Sequence, residues 1–446
     1  MTRDLAERVR EAGVVGAGGA GFPTHVKVAA RAAVVIANGA ECEPLLKVDQ
    51  QLMAARPGDL VQGLVLLKEA VGARKAVVAL KQKYRQAVSA LREEIARRKL
   101  PVDLHLMGSY YPAGDEQVLV REVTGKVVPE GGIPLDVGAV VSNVGTIINI
   151  ARASRGIPVT TRTLTVAGEV REPVTLEVPV GAYVEDVLAA AGGVSCPDYR
   201  VIDGGPVMGA ISGPSVKKTT TGLIVLPAVH KLIEARTRPV EVDVARAGRA
   251  CDQCRYCTDY CPRYLLGHRI EPHVIMRLVG QQQWENIPAE DLERAWFCCQ
   301  CGLCGLYACP TSLSPARVIA GLLEAMKAAG FKKPPVAPPS EPHPWGWGRK
   351  VPVSRLAARI DVARYERPAL LRDGALKLKR VRLACKQHAG APAVPVVAEG
   401  DTVSAGDVVA EPPAAALGAR VHASIAGRIV SVTDQAIVIH APEEES

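Results

Sequence analysis

Cys251, Cys254, Cys257 and Cys261-Pro262 stand at gaps of two, two and three residues. Thiolates at two-residue gaps can wrap one corner of an iron–sulfur cubane, and in the bacterial ferredoxin pattern the fourth thiolate ligates the other cluster. A second run, Cys298-Cys299-Gln300-Cys301-Gly302-Leu303-Cys304 with Cys309-Pro310, begins with a doublet and has one extra residue before its last Cys. The C-x2-C-x2-C register selects Cys298, Cys301 and Cys304 and leaves Cys299 spare. The expected ligand sets are therefore crossed. Cys251, Cys254, Cys257 and Cys309 hold one [4Fe–4S] cluster, and Cys298, Cys301, Cys304 and Cys261 hold the other. Paired C-x2-C knuckles also bind zinc, but two four-cysteine runs each closed by Cys-Pro favour clusters. Cys42, Cys196, Cys299 and Cys385 lie singly or out of register and read as small core residues.

The second chemical feature is glycine-rich. Gly16-Ala17-Gly18-Gly19-Ala20-Gly21 satisfies G-x-G-x-x-G, with Glu41 about 20 residues further on. No proper strand precedes it and Phe22-Pro23-Thr24 interrupts the expected helix start, so as a dinucleotide fingerprint it is weak, and a flexible turn is the plainer reading. Glycines still let backbone N–H groups approach a phosphate where no side chain intervenes. Lys27 supplies a cation nearby.

The elements that must position these groups fall into segments. Residues 1–157 alternate strands (Val34–Ala37, Ala76–Leu80, Val102–Leu106) with helical faces, as in Leu60, Leu64, Leu67 and Val71 ending at Gly72. That alternation predicts a layered α/β domain. Residues 158–238 turn β-rich around one short helix at Tyr183–Ala191, a small α+β module. Residues 239–332 carry the cysteines between helical stretches. A segment over 333–377 opens with six prolines between 334 and 344 and reads as a semi-rigid linker; an SH3-type ligand is the sharper alternative. Residues 378–446 alternate short strands with Gly-Asp and Ala-Gly turns, predicting a compact β barrel or sandwich.

Composition narrows the function classes. Over 446 residues the aromatic share is 4% with three Phe, which leaves little for base stacking on single-stranded nucleic acid. The net charge of +8 is spread along the chain and suits acidic carriers or phosphorylated cofactors more than duplex binding. No apolar run reaches the ~18–20 residues of a membrane span, and the start lacks a secretory pattern. The expectation is a soluble, cytoplasmic metalloprotein without disulfides.

Four segments in order carry a resemblance. Gly18-Gly19-Ala20-Gly21-Phe22-Pro23-Thr24 with Lys27, Asn38-Gly39-Ala40-Glu41-Cys42-Glu43-Pro44, Tyr111-Pro112-Ala113-Gly114-Asp115-Glu116 and Ser142-Asn143-Val144-Gly145-Thr146 resemble the FMN- and NADH-binding subunit of respiratory complex I. They are more similar still to the C subunit of the Rnf ferredoxin:NAD oxidoreductase. The 158–238 module resembles the ubiquitin-like, β-grasp SLBB domain of those proteins. The tail, from Gln387-His388-Ala389-Gly390 to His422-Ala423-Ser424-Ile425-Ala426-Gly427, resembles their barrel-sandwich hybrid domain. Its hairpin segment holds no Lys, which argues against a biotin- or lipoyl-type swinging group. With the barrel last in the chain and a four-residue gap before Cys309, the whole is similar to the propanediol-utilisation cobalamin reductase family.

The resemblance implies a multidomain α/β and α+β fold. Its parts are a complex I FMN-subunit-like domain, an SLBB domain, a helical dicluster ferredoxin domain and a C-terminal all-β barrel-sandwich hybrid. It implies FMN, two [4Fe–4S] clusters and NADH as donor, with no acid–base catalytic residue. Gly18, Gly19 and Lys27 would hold flavin phosphate or ribityl oxygens, and Asn38, Tyr111, Asp115, Asn143 and Thr146 would line the flavin. Glu41, Glu43 and Glu116 would lie nearer the nicotinamide nucleotide, although Ala40 and Gly145 stand where complex I has acidic residues. The implied acceptor is a corrinoid; a ferredoxin-type acceptor in an Rnf-like module and a non-catalytic dicluster scaffold are the alternatives. An adenosyltransferase or microcompartment proteins are the implied partners. The implied location is the cytoplasm, a bacterial microcompartment or the periphery of a membrane complex.

Overall fold

The computed structural model describes residues 2–442; Met1 and residues 443–446, the outer ends of the first and last expected segments, lie outside the described residues. The N-terminal unit is built on β1 (Val34–Gly39), β2 (Lys75–Lys81), β3 (Asp103–Met107), β4 (Tyr110–Tyr111) and β5 (Ala139–Asn143). Four of these form a parallel sheet in the order β3-β2-β1-β5. Val35, Ile36 and Ala37 are buried on both faces, as a parallel sheet covered by helices requires. Helix Pro57–Val71 starts on Pro and ends at Gly72 with φ +69°, the expected asymmetry of helix ends. Gly63 lets it cross helix Val144–Ala153 closely, since a Cβ there would lie 2.1 Å from the Ile147 carbonyl oxygen. The chain order reverses beside β1: β2 and β3 lie on one side of it and β5 on the other. Such a switch point opens a crevice at the C-terminal ends of the strands, and Asn38 and Asn143 are paired residues there.

The next module comprises β6 (Thr161–Gly168), β7 (Val174–Pro179), helix Val184–Ala190, β8 (Tyr199–Asp203), β9 (Ala210–Ile211) and β10 (Gly222–Pro227). In the cysteine module, helices Val240–Ala250, Pro272–Gln281 and Pro315–Ala328 pack together. Gly280 sits against Gly248, where a Cβ would lie 2.7 Å from the backbone nitrogen. Buried Asp243 ties Arg238 (3.1 Å) and Arg317 (2.7 Å) across the same bundle.

Residues 333–377 are held along their length. The proline-rich stretch lies across the first unit and the cysteine module: Ala337 N–H donates to the Glu130 carbonyl (3.0 Å) and His343 N–H to that of Leu265 (3.0 Å). Beyond it come β11 (Val351–Pro352), helix Val353–Arg359 and β12 (Leu371–Ala375). β11 pairs with β4, and β12 extends the second module's sheet beside β7. The tail forms two small sheets, the larger from strands Arg380–Ala384, Ala436–His440, Gly427–Val432 and Thr402–Val403. Val381, Leu383, Val409, Ile437 and Ile439 fill its core. Among the described residues no helix is long and apolar enough to cross a membrane.

Candidate functional site

The two cysteine runs share one local geometry. Gln253 and Arg255 take φ +54° and +68°; Gln300 and Gly302 take +55° and +75°. Left-handed residues at matching places curl each run around its sulfurs. The match aligns Cys251 with Cys298, Cys254 with Cys301, Cys257 with Cys304 and Asp252 with Cys299. A side-chain amide repeats too: Gln253 Nε2 donates to Cys251 Sγ (3.1 Å) and Gln300 Nε2 to Cys298 Sγ (3.3 Å). The extra residue of the second run is taken up by a π turn over Cys304–Ala308, where the first run has an α turn over Tyr256–Asp259. Single π turns are rare and occur frequently at functional sites.

Cys251, Cys254, Cys257 and Cys309 line one cavity. Burial first, then the sulfurs of Cys251, Cys309 and Cys254, push the Cys257 thiol up to about 12. Cys261, Cys298, Cys301 and Cys304 gather as a second group. Burial pushes Cys261 up to about 12 and raises Cys298 further, and neighbouring sulfurs add to both. Cys304 is raised by burial and by Cys298 and Cys261. Thiols so crowded resist ionising by themselves, and a positively charged iron core relieves that repulsion. The cavity that Cys251, Cys254, Cys257 and Cys309 line leaves room between their sulfurs, which suits a cubane. Cys299 lies inside the second group, close to Cys301 and Cys261.

The glycine loop closes at the switch point. Ala17 N–H donates to Thr146 Oγ1 (2.8 Å), and Asn143 caps helix Val144–Ala153 by accepting from Gly145 N–H (2.8 Å). Gly18 packs on Asn143, where a Cβ would come within 2.9 Å of Nδ2, while Gly19 faces open space. Lys27 Nζ donates to the Val141 carbonyl (2.9 Å). Burial lowers its pKa against the pull of Glu116, and it forms no ion pair among the described residues. Ser142 Oγ is buried without a hydrogen-bond partner there. An unpaired cation, an open glycine and an orphaned hydroxyl suit a flavin phosphate and its ribityl hydroxyls.

On the other side of β1, Asn38 Nδ2 donates to the Gly114 carbonyl (2.9 Å) and Cys42 Sγ accepts from Gly114 N–H (3.3 Å). This anchors the 111–116 loop, which begins with a cis Tyr111–Pro112 bond. Asp115 caps helix Glu116–Thr124 and makes a buried fork with Arg263 at 2.6 and 2.9 Å. The Tyr111 hydroxyl donates to the Cys301 carbonyl (2.7 Å). Arg263 is two residues past Cys261, so both contacts join the 111–116 loop to the second thiol group.

Of the three carboxylates expected on the nucleotide side, only Glu116 is exposed. Glu41 accepts from the N–H groups of Asp49 (2.8 Å) and Gln50 (3.4 Å). Glu43 accepts from Val207 (2.9 Å) and Met208 (2.8 Å) of the second module. Gly205 is required beneath it, because a Cβ would lie 2.3 Å from the Glu43 carboxylate.

Several supporting residues escape sequence reasoning. Arg162 of β6 donates to the carbonyls of Ala17 (2.7 Å) and Thr220 (2.5 Å). Lys218 Nζ donates to those of Gly13 (2.8 Å) and Arg420 (2.6 Å). From the tail, Ala389 N–H donates to Gly21 (3.3 Å). The available signal was a lone Arg at alternate spacing with Leu164 and Val166 in a strand, and Arg263 directly after a Cys-Pro.

Comparison with known proteins matches this layout. Residues 9–152 match the Nuo51 FMN-binding domain, 163–210 the SLBB domain, 250–314 the 4Fe-4S dicluster domain and 374–444 the RnfC barrel sandwich hybrid domain. An FMN-binding domain joined through buried contacts to a dicluster module defines a flavo-iron–sulfur oxidoreductase. Cobalamin reductase PduS of Salmonella typhimurium is 43% identical over 98% of this chain and 96% of its own length, and that of Citrobacter freundii is 42% identical over the same shares. The chain belongs to the PduS cobalamin reductase family. The C subunit of the Na(+)-translocating ferredoxin:NAD(+) oxidoreductase of Acetobacterium woodii is 33% identical over 63% of this chain and 62% of that subunit. Among solved structures, an NAD+-reducing [NiFe]-hydrogenase in the H2-reduced state aligns at 21% identity and a TM-score of 0.48, covering 76% of this chain and 64% of that one.

Proposed function

We propose that this protein is an NADH-dependent corrinoid reductase in which electrons pass from NADH through FMN and two [4Fe–4S] clusters to the cobalt of cobalamin. The observation that carries the relay is the double contact, Tyr111 with Cys301 and Asp115 with Arg263, which sets the flavin-side loop against the second-cluster loop. The acceptor rests on the two PduS relatives matched from end to end.

FMN supplies the conversion of a two-electron hydride into single electrons that the clusters can carry. The chain's own residues bind, orient and insulate. Gly18 and Gly19 leave backbone room for the flavin phosphate, with Lys27 as its cation, while Asn38, Asn143 and Thr146 fix the loops on either side of β1. Glu41 and Glu43 shape the nucleotide-side wall through the backbone they hold, and Glu116 faces solvent there. Tyr111, 1% exposed, keeps water out between flavin and second cluster. Hydride transfer needs no proton abstraction, so rate enhancement comes from positioning.

The test is anaerobic NADH reduction of the purified holoenzyme. NADH should bleach the flavin and cluster absorbance, and hydroxocobalamin should restore it. Two cobalt(III) centres are then reduced to cobalt(II) for each NADH oxidised to NAD+ and H+. Turnover with ferredoxin and none with cobalamin would replace this reading by the Rnf-like one. Absence of both flavin and bleaching at full iron content would leave a dicluster scaffold.

A further inference from the structure

A half-open cavity lies where the first unit, the cysteine module and the proline-rich segment meet. The space, open solvent at its mouth included, is about 630 Å³, and Tyr111 of the relay lines it. In a chain with 4% aromatics, Tyr110, Tyr111 and Tyr260 line it beside Leu265 and Leu303. The proline-rich segment supplies one wall: His343 stacks on Tyr264 with ring centroids 4.2 Å apart. Arg121 and Arg349 stand at the same cavity, and Arg349 lies over the Tyr260 ring at 5.1 Å. Neither arginine has a carboxylate partner among the described residues. Glu122, the acidic group in the lining, is already held by Lys350 (2.9 Å) and the Tyr110 hydroxyl (3.0 Å).

The walls also touch the relay. Tyr260 precedes Cys261, Leu303 lies between Cys301 and Cys304, and Tyr111 donates to the Cys301 carbonyl. A molecule seated here therefore lies beside the second cluster. Apolar walls and two guanidinium groups without carboxylate partners, Arg121 resting on the Gly125 carbonyl and Arg349 on the Tyr260 ring, fit a planar heteroaromatic base carrying an anionic phosphate. We infer that this cavity is the subsite for the nucleotide tail of the corrinoid, with the benzimidazole along its apolar walls and the ribose phosphate against Arg121 and Arg349. The inference rests on the corrinoid reading above and adds to it where the substrate is gripped and by which part.

The test compares cobalamin with cobinamide, which lacks the base and the ribose phosphate, on the full-length holoenzyme. By equilibrium dialysis the wild type should bind hydroxocobalamin about tenfold or more tightly than cobinamide, about 1.4 kcal/mol or more, and α-ribazole phosphate should compete. In Arg349→Ala and in Leu265→Trp, which fills the slot, the ratio of the two affinities should fall toward one. Melting curves report whether each variant is folded, and Arg349→Ala, on the rim, serves if Leu265→Trp is not. A base seated in the slot is off the cobalt, so protein-bound cob(II)alamin should lose the nitrogen splitting of its EPR spectrum. Equal affinity for both corrinoids in the wild type, an unchanged ratio in Arg349→Ala, or a retained splitting would overturn the subsite. Failure of the wild type to reduce either corrinoid with NADH would instead sink the functional reading, while α-ribazole phosphate binding would still judge the cavity.

Discussion

Each glutamine amide beside the clusters points at one sulfur: Gln253 at Cys251 and Gln300 at Cys298. Negative charge on those sulfurs grows when a cluster takes an electron, so a donor there favours the reduced state. Gln253→Leu should therefore lower the midpoint potential of the first cluster and Gln300→Leu that of the second, read by EPR-monitored redox titration. Unshifted midpoints in both would show that the amides leave the clusters untouched. The crossed ligand sets make a separate prediction. Cys261→Ala should abolish the signal of the cluster built on Cys298, Cys301 and Cys304 and spare the other; loss of the first cluster instead would undo the crossing. The register could be proposed from the sequence because cysteine spacing is local. Spacing leaves Cys299 out of register, and in the structure it takes the place that Asp252 has in the first run. What spacing could not show is that Cys299 still lies among the second-group sulfurs.

At the scale of elements, the glycine loop is held from outside its own unit. Arg162 and Lys218 of the second module and Ala389 of the tail bind its carbonyls from Gly13 to Gly21. The all-β tail thus acts as a clasp on this loop. Lys218→Met should weaken FMN binding to the apoflavoprotein by about tenfold, about 1.4 kcal/mol, the scale of one lost buried hydrogen bond, measured by quenching of flavin fluorescence. An unchanged dissociation constant would leave the clasp without effect on the flavin. Strands such as Val34–Gly39 and helices such as Pro57–Val71 could be read from the sequence because periodicity and end signals are local. The clasp could not, since its donors lie some 145 to more than 360 positions from the loop they bind. The same limit applied to residues 333–377. Proline content predicts an extended chain but carries no record of what that chain lies against, and helix Val353–Arg359 is too short to reveal a period.

Across the whole molecule, buried charge sets how stability responds to pH. Burial, then the charge of Glu41, pushes the Asp49 carboxyl up to about 8, with Arg162 and Asn143 acting against the shift. Burial pushes Glu43 up to about 7 despite the Val207 and Met208 amides. Unfolded, both carboxyls ionise near pH 4. Between about pH 4 and 8 the folded chain therefore binds more protons than the unfolded one, and stability falls as pH rises through that window. Lys218 acts in the opposite sense. Burial lowers its pKa to about 7, against about 10.4 unfolded, so between those values the unfolded chain binds the extra proton and stability rises with pH. Urea midpoints of the wild type should drop from pH 5.5 to about 7, level off where Asp49 and Lys218 offset each other, and recover toward pH 9.5. Asp49→Asn should reduce the slope of the acid limb, where Glu43 still contributes, and Lys218→Met that of the alkaline limb, to which Lys81, lowered by burial to about 8, also contributes. Midpoints that run parallel to the wild type in both variants would show that neither group carries the linkage, and that the junction of the flavin unit with the second module and the tail is not where this protein senses protons.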